Sequence, residues 1–439
     1  MLKKLSRARK KELGLAELIA LALGGMVGGG IFSILGISVE KIGNATPIAI
    51  LIGGVLAMFS AYSYVKLALL YKDEGATYSF FKKTFPNSHF ASSAIGWLVV
   101  FGYISTLALY AFTFSTYLAS VLPFEKSIWI DRSIAGAIIL LFSIINLVSV
   151  KGMGKIEDIM VYTKIVLLLI ISGLLAGKGS TANFLPLFEA DTTLLNIVIV
   201  ASITFVAFEG FQLVIHAYDE MDEPARNIPR AIYGAILIAT TLYIALAIGA
   251  LATIPKELII QDKEYALAAG AQGILGNFGF FIVIFGALLA TSSAISGTLF
   301  GASRLIAVIA ADGYFPRKLD NRIKGHIPNY AIITMAALAF VLILSGGLQV
   351  ILEFGSITFI TVSFLMAFAN YRKRHETKTH IFPAIVAMLG LFVAGILIFW
   401  FEYQNDPIQL ISILSLYAVL GVCAYFFSKR KESGSGRSI

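Results

Sequence analysis

Runs of about twenty apolar residues recur from one end of this chain to the other, and that length is what a helix needs to cross a bilayer. Short connections rich in charge, glycine or proline part them. Twelve runs are read, at about residues 15–38, 46–71, 92–122, 132–150, 157–177, 193–217, 230–253, 277–310, 328–346, 350–370, 381–401 and 407–428. The third and eighth exceed a perpendicular crossing and imply tilt. Residues 1–13 form a basic leading tail and 429–439 a trailing cytoplasmic one, whose final SGSGRSI reads as flexible. The pattern predicts an all-α integral membrane protein of 12 transmembrane helices, with no soluble domain between them.

Composition supports that reading. Of 439 residues, 58% are hydrophobic and 14% charged, against roughly 45–50% and 25% in soluble globular proteins. The formal charge of +8 does not gather into one patch, so no nucleic-acid partner is expected. Cys423 is the only cysteine, which excludes an intramolecular disulfide framework and a thiolate metal site. The opening MLKKLSRARKKELG leads straight into a full-length run, without the short apolar core of a cleavable signal. With the amino terminus inside, 28 of the 34 Lys and Arg lie on the inner side; Lys41, Lys126, Arg132, Lys178, Lys256 and Lys263 lie outside. Such an excess marks the cytoplasmic face, so both termini of a multi-pass cell-membrane protein are expected there. No HExxH, GxSxG or P-loop pattern occurs, nor a repeated pore loop. Neither an enzyme nor a metal or cofactor is expected.

Two runs are interrupted in matching places. In ALGGMVGGGIFSILG, glycines occupy positions 24, 25, 28, 29 and 30, and each costs a helix interior about 1 kcal/mol relative to alanine. In SITFVAFEGFQLV, Glu209-Gly210 interrupts the sixth run. Each break opens a set of five runs, at 14–178 and 192–371, with two further runs at 380–428. Paired interruptions of this kind point to an inverted-repeat transporter with its site near the midplane. Unwinding exposes amides at the start of one half-helix, which favour a carboxylate, and carbonyls at the end of the other, which favour an ammonium. The competing reading of the glycines is close helix packing.

Charged residues inside the runs are candidates for chemistry. Lys164 lies about 10 Å into the fifth run at 1.5 Å per residue, where its stem could also reach back to the interface. Glu209, within the sixth-run break, could bind a cationic side chain, accept a proton or cap nearby amides. His216 and Glu220 share an i, i+4 helical face without a third ligand, which reads as a solvated helix end. The mixed aromatic and basic GATYSFFKKTF, Gly75 to Phe85, reads as an element lying along the cytoplasmic membrane surface, with an external counterpart at 263–276.

Four stretches carry a more specific likeness: GGMVGGGIF (Gly24 to Phe32), FVAFEGF (Phe205 to Phe211), DEMDEPARNIPRAI (Asp219 to Ile232) and GASRLIAVIAADGYFP (Gly301 to Pro316). In order and spacing they resemble the amino acid–polyamine–organocation superfamily. AYSYVKL (Ala61 to Leu67) and Lys164 are similar to its proton-coupled, broad-specificity members. The resemblance implies a leucine-transporter-like fold: a five-plus-five inverted repeat with helices 1 and 6 broken, plus two C-terminal helices. It implies a secondary active transporter of amino acids, proton-coupled and working by alternating access, with a polyamine or cationic amino-acid carrier or an exchanger as alternatives. By position, the amides of Gly28, Gly29 and Gly30 would take the substrate carboxylate, with Ile31 also among the substrate-binding residues. The carbonyls of Phe205, Val206 and Phe208 would take its ammonium, with the Phe208 ring as a gate and Glu209 beside it. Lys164 would stand where sodium sits in sodium-driven relatives, bridging the Gly24 carbonyl and Ser292 or Ser293. The implied partners are an amino acid, a proton and membrane lipid; the sequence does not fix an oligomeric state. The family's small hydroxyl residue is Gly29 here, which removes a side-chain donor to the carboxylate.

Overall fold

The computed structural model describes residues 13–123, 127–148, 153–188, 192–261, 265–323 and 327–435, and among them it is helical with no strand. In chain order the helices are α1 (Leu15–Met26), α2 (Gly29–Ile42), α3 (Thr46–Tyr71), α4 (Ala76–Thr84), α5 (His89–Ala119), α6 (Ile128–Val148), α7 (Met153–Lys178) and α8 (Leu194–Ile203). They continue with α9 (Pro224–Thr253), α10 (Lys256–Gln261), α11 (Ala266–Ala311), α12 (Asn329–Ser345), α13 (Leu348–Arg372), α14 (Ile381–Asn405) and α15 (Pro407–Ser435). Among the described residues ten helical runs are long and apolar enough to cross a membrane by length and composition; one of them, Gly29–Tyr71, joins α2 to α3 through a single 3-10 turn. Leu15–Met26 and Asn329–Ser345 are apolar but shorter.

Local signals start several of these helices. Pro47 and Pro224 stand in the first turns of α3 and α9, where a missing N–H costs nothing. The Ser88 and Thr193 hydroxyls accept from the amides of Ala91 and Asn196, capping α5 and α8. Burial then sorts the helices. The apolar window of Leu194–Ala217 is 94% buried and those of α5 and α13 are 78% buried, against 17% for α15 and 22% for α6. An inner set therefore surrounds the interrupted spans, and an outer set turns apolar side chains to the hydrocarbon. In α7 the inward stripe is Val161, Lys164, Leu168, Ile171 and Leu175, spaced three and four apart and all 0% exposed. Lys164 thus points inward, not back to an interface.

Some expectations change. The first span is two helices, as expected, but α2 runs on to Ile42, past the expected end at residue 38. α11 begins at Ala266, but Gly276, at φ 67°, breaks it where the eighth run was expected to start. α15 continues to Ser435, into the start of the SGSGRSI stretch expected to be flexible, with Lys429 paired to Glu432 at 3.1 Å. α4 is not a surface element: Ala76 to Phe81 and Thr84 are buried, and the helix packs on α5 and α13. It is held by Tyr78 and Lys82, both 2.7 Å from Asp312 Oδ2, and by an ion pair of Lys83 with Asp73. Burial alone would raise the Asp73 pKa, but the Lys83 ammonium and the Gly75 amide outweigh it and hold the carboxyl below its ordinary value. Most of the leading tail, with residues 124–126, 149–152, 189–191, 262–264 and 324–326, lies outside the described residues. Leu13 itself pairs with the chain beyond the second interruption: its N–H donates to Glu220 O at 3.2 Å, and Asp222 N–H donates to Leu13 O at 3.0 Å.

Candidate functional site

An α-helix leaves its last four carbonyls without intrahelical donors, and inside a membrane no water core is there to satisfy them. All four of α1's are taken. Val27 N–H donates to Leu23 O at 2.9 Å, Lys164 Nζ to Gly24 O at 3.1 Å and Tyr110 OH to Gly25 O at 2.9 Å. Met26 O accepts both Tyr243 OH at 2.8 Å and Gly28 N–H at 3.0 Å. The helix can stop at Met26 because side chains from α5, α7 and α9 replace the missing turn. Lys164 also donates to Ser293 Oγ on α11 at 3.2 Å. Ser293 is fully buried, whereas neighbouring Ser292 is partly exposed.

The two residues after α1, Val27 and Gly28, leave the helical region, and α2 resumes at Gly29. Its first-turn amides, those of Gly29, Gly30 and Ile31, have no carbonyl within α2 to bond to. The Gly28 amide, expected among them, is held by Met26 O instead. A Cβ on Gly29 would come within 2.7 Å of Thr113 Oγ1, so α5 packs here against a residue that has room for no side chain. Ser33 Oγ and Thr113 Oγ1 are 2.8 Å apart in the same place.

In the sixth span the α-helix stops at Ile203, whose carbonyl accepts from Ser356 Oγ on α13. A 3-10 turn, Thr204–Phe208, follows. Glu209 is extended at φ −72° and ψ 146°, Gly210 takes φ 120°, and a second 3-10 segment runs over Phe211–Ala217. Of the carbonyls here, Val206 accepts the Glu209 amide at 3.1 Å and Ala207 accepts Tyr243 OH at 3.1 Å. Phe205 is fully buried, and the Phe208 ring packs on Tyr243 with centroids 5.7 Å apart. Tyr243 therefore fastens both interrupted spans at once. Its Phe variant keeps the ring, strands the Ala207 carbonyl and leaves Met26 O with the Gly28 amide alone; we expect a loss of about 1–2 kcal/mol in stability and weaker uptake, read by thermal unfolding and by transport into proteoliposomes.

Glu209 is 2% exposed. Its Oε2 accepts from Gln212 Nε2 at 2.8 Å, and Gln212 Oε1 in turn takes the Gly210 amide at 3.1 Å. Oε1 has no hydrogen-bond partner among the described residues. The residue borders a water-sized cavity that Gly25, Tyr103, Tyr110, Thr298 and Phe359 also line. His216 and Glu220 do not share a helical face, because the segment is 3-10; His216 Nδ1 lies 2.7 Å from Glu74 O. Among the described residues no cluster of metal-ligating side chains occurs.

The structure thus gathers Gly24, Lys164 and Ser293 where α1 stops, and sets Gly30, where α2 starts, against Ala207 of the sixth-span interruption. Sequence reasoning missed Tyr110, Thr113, Tyr243 and Ser356. A signal for the tyrosines existed: a phenol in mid-span must find an acceptor for its hydroxyl, and α1's broken end offers the free ones.

The amino acid permease family profile matches residues 13–425. The inner membrane transport protein YbaT of Escherichia coli is 28% identical over 416 residues, covering 94% of this chain and 96% of that protein. The branched-chain amino acid permease BcaP of Bacillus subtilis is 24% identical, with 97% and 95% covered. The low-affinity putrescine importer PlaP of Escherichia coli is 24% identical, with 91% and 90% covered.

Proposed function

This chain belongs to the amino acid permease family, whose members are transporters and not enzymes, and on that premise we propose that it is a proton-coupled symporter of amino acids working by alternating access. Amino acid or organic cation transport follows from the family and from the names of the relatives. The finer reading adds twelve crossings in a five-plus-five repeat with two extra helices, and both termini in the cytoplasm. The substrate carboxylate sits on the amides of Gly29, Gly30 and Ile31, with Gly28 joining when Met26 releases it. The ammonium sits on the carbonyls of Phe205, Val206 and Phe208, under the Phe208 ring.

The observation that carries the reading is Lys164, a fully buried ammonium that ties α7 to α1 through Gly24 O and to α11 through Ser293 Oγ. An ammonium has three donors and a charge; the neutral amine loses the charge and one donor. Protonation therefore fastens three helices, and release of the proton loosens them. The driving force is adequate, since one charge moving down 100 mV supplies about 2.3 kcal/mol. Purified protein in proteoliposomes is expected to accumulate amino acid when the outside is acid and not when sodium alone is graded. Accumulation driven by sodium and indifferent to pH would overturn the proposal.

A second reading, a polyamine or cationic amino-acid carrier, is favoured by the partnerless Oε1 of Glu209 in its cavity. Counterflow with unlabelled amines against neutral amino acids separates the two, and counterflow without net uptake identifies an exchanger.

A further inference from the structure

Away from the interrupted spans, the ends of α13, α14 and α15 meet around two carboxyls that none of the foregoing uses. Glu353, in the second turn of α13, and Glu402, in the last turn of α14, are both 0% exposed. Gln409, in the first turn of α15, reaches both with one nitrogen. Its Nε2 donates to Glu402 Oε2 at 3.0 Å and also to Glu353 Oε2. Gln349 Nε2 donates to Glu353 Oε1 at 2.8 Å. Glu402 Oε1 is buried with no hydrogen-bond partner among the described residues.

The other charged groups near Glu402 are Lys41, from the end of α2, whose Nζ lies 4.1 Å from the centroid of the adjacent Phe401 ring, and Asp406 beyond α14. Of the remaining helices packed on α14, α8 carries no titratable residue, and the one lysine of α3, Lys66, is engaged at the far end of α14 by Lys378 O. Two carboxylates held on one amide nitrogen and out of water repel each other, and a buried carboxyl oxygen without a donor is costly. One proton relieves both penalties: it cancels one charge and gives the second acid a donor.

We propose that Glu353 and Glu402 bind a single proton between them, forming a proton-binding site separate from Lys164 that holds α13 to α14 and α15. Glu353 lies one turn ahead of Ser356, which caps Ile203 at the start of the sixth-span interruption, so the site bears directly on how that span is held. The inference does not depend on what the protein carries.

The sign of the pH dependence follows. In the unfolded chain both acids are ionised at neutral pH, so the folded protein holds the extra proton, and stability falls as pH rises above about 5. The test is infrared difference spectroscopy of wild-type protein against Glu353→Gln, Glu402→Gln and the double variant, with unfolding midpoints across pH 5 to 9 or so. Each single variant is expected to lose the same protonated-carboxyl band, the double variant no more than either, and all three to flatten the fall in midpoint. A band lost in only one single variant assigns the proton to one acid and overturns sharing; no band lost in either means both are ionised and also overturns it. Should a glutamine variant fail to fold, Glu209→Gln removes the other buried acid of the described residues. The carboxyl band that remains must then bleach as the midpoint drops at alkaline pH; absence of a remaining band overturns the proposal.

Discussion

Lys164→Ala is expected to abolish accumulation of substrate against its gradient while leaving a protein that still folds. The substitution removes donors to Gly24 O and Ser293 Oγ, at a cost of about 1–3 kcal/mol for the stranded acceptors. Part of that is offset because a buried charge also disappears. Coupling has no such offset. A proton moving down 100 mV sustains about 2.3 kcal/mol, or roughly 50-fold accumulation, and a carrier without its protonatable link can only equilibrate, about 1-fold. Lys164→Arg keeps a charge that does not titrate in proteins and is expected to bind substrate without concentrating it. Acid-stimulated accumulation persisting in Lys164→Ala would refute the role.

Gly210→Ala is expected to have the largest effect on folding. Gly210 takes φ 120°, and a Cβ there would stand 2.5 Å from Gly25 C and 2.7 Å from Met26 N. Both obstacles are backbone, so no rotamer relieves them, and the two interruptions touch at this point. Strain at such a φ together with overlap amounts to more than about 3 kcal/mol. The variant should yield little monodisperse protein, with an unfolding midpoint far below wild type. Gly173→Ala, on α7 with nothing within 4 Å of the added carbon, serves as the matched control and should be neutral or slightly stabilising. Equal behaviour of the two variants would show that the contact between the interruptions is not needed for folding.

How much of this was legible in the sequence depends on how local each feature is. The interruptions were, because five glycines in seven positions and Glu209-Gly210 are helix-breaking chemistry wherever they fall. The residue Lys164 was legible too, but not its direction. The stretch from Ile159 to Leu175 is apolar on every side, so no amphipathic stripe marks the inward face, and only packing on α1, α9 and α11 selects it. The hydroxyl caps on α1 come from residues 85 and 217 positions away from their acceptors, a separation no periodicity reports. The α4 expectation failed for a related reason. Its aromatic and basic side chains suit a membrane surface equally well, and it is Asp312, over 200 residues later, that bonds the buried Tyr78 and the half-exposed Lys82. Glu353 sits near the start of one run and Glu402 just past the end of another, where each alone looks like an end-of-helix acid.

The pairing of Leu13 with Glu220 and Asp222 has a mechanical consequence. α1 is clamped to the segment after Gly210 at both its extremities: by that short strap at the outer end, and by the Gly25–Gly210 backbone contact at the inner one. A rod gripped at two points cannot pivot on its own. On the alternating-access reading proposed above, the leading half of the first span and the trailing half of the sixth swing as one lever.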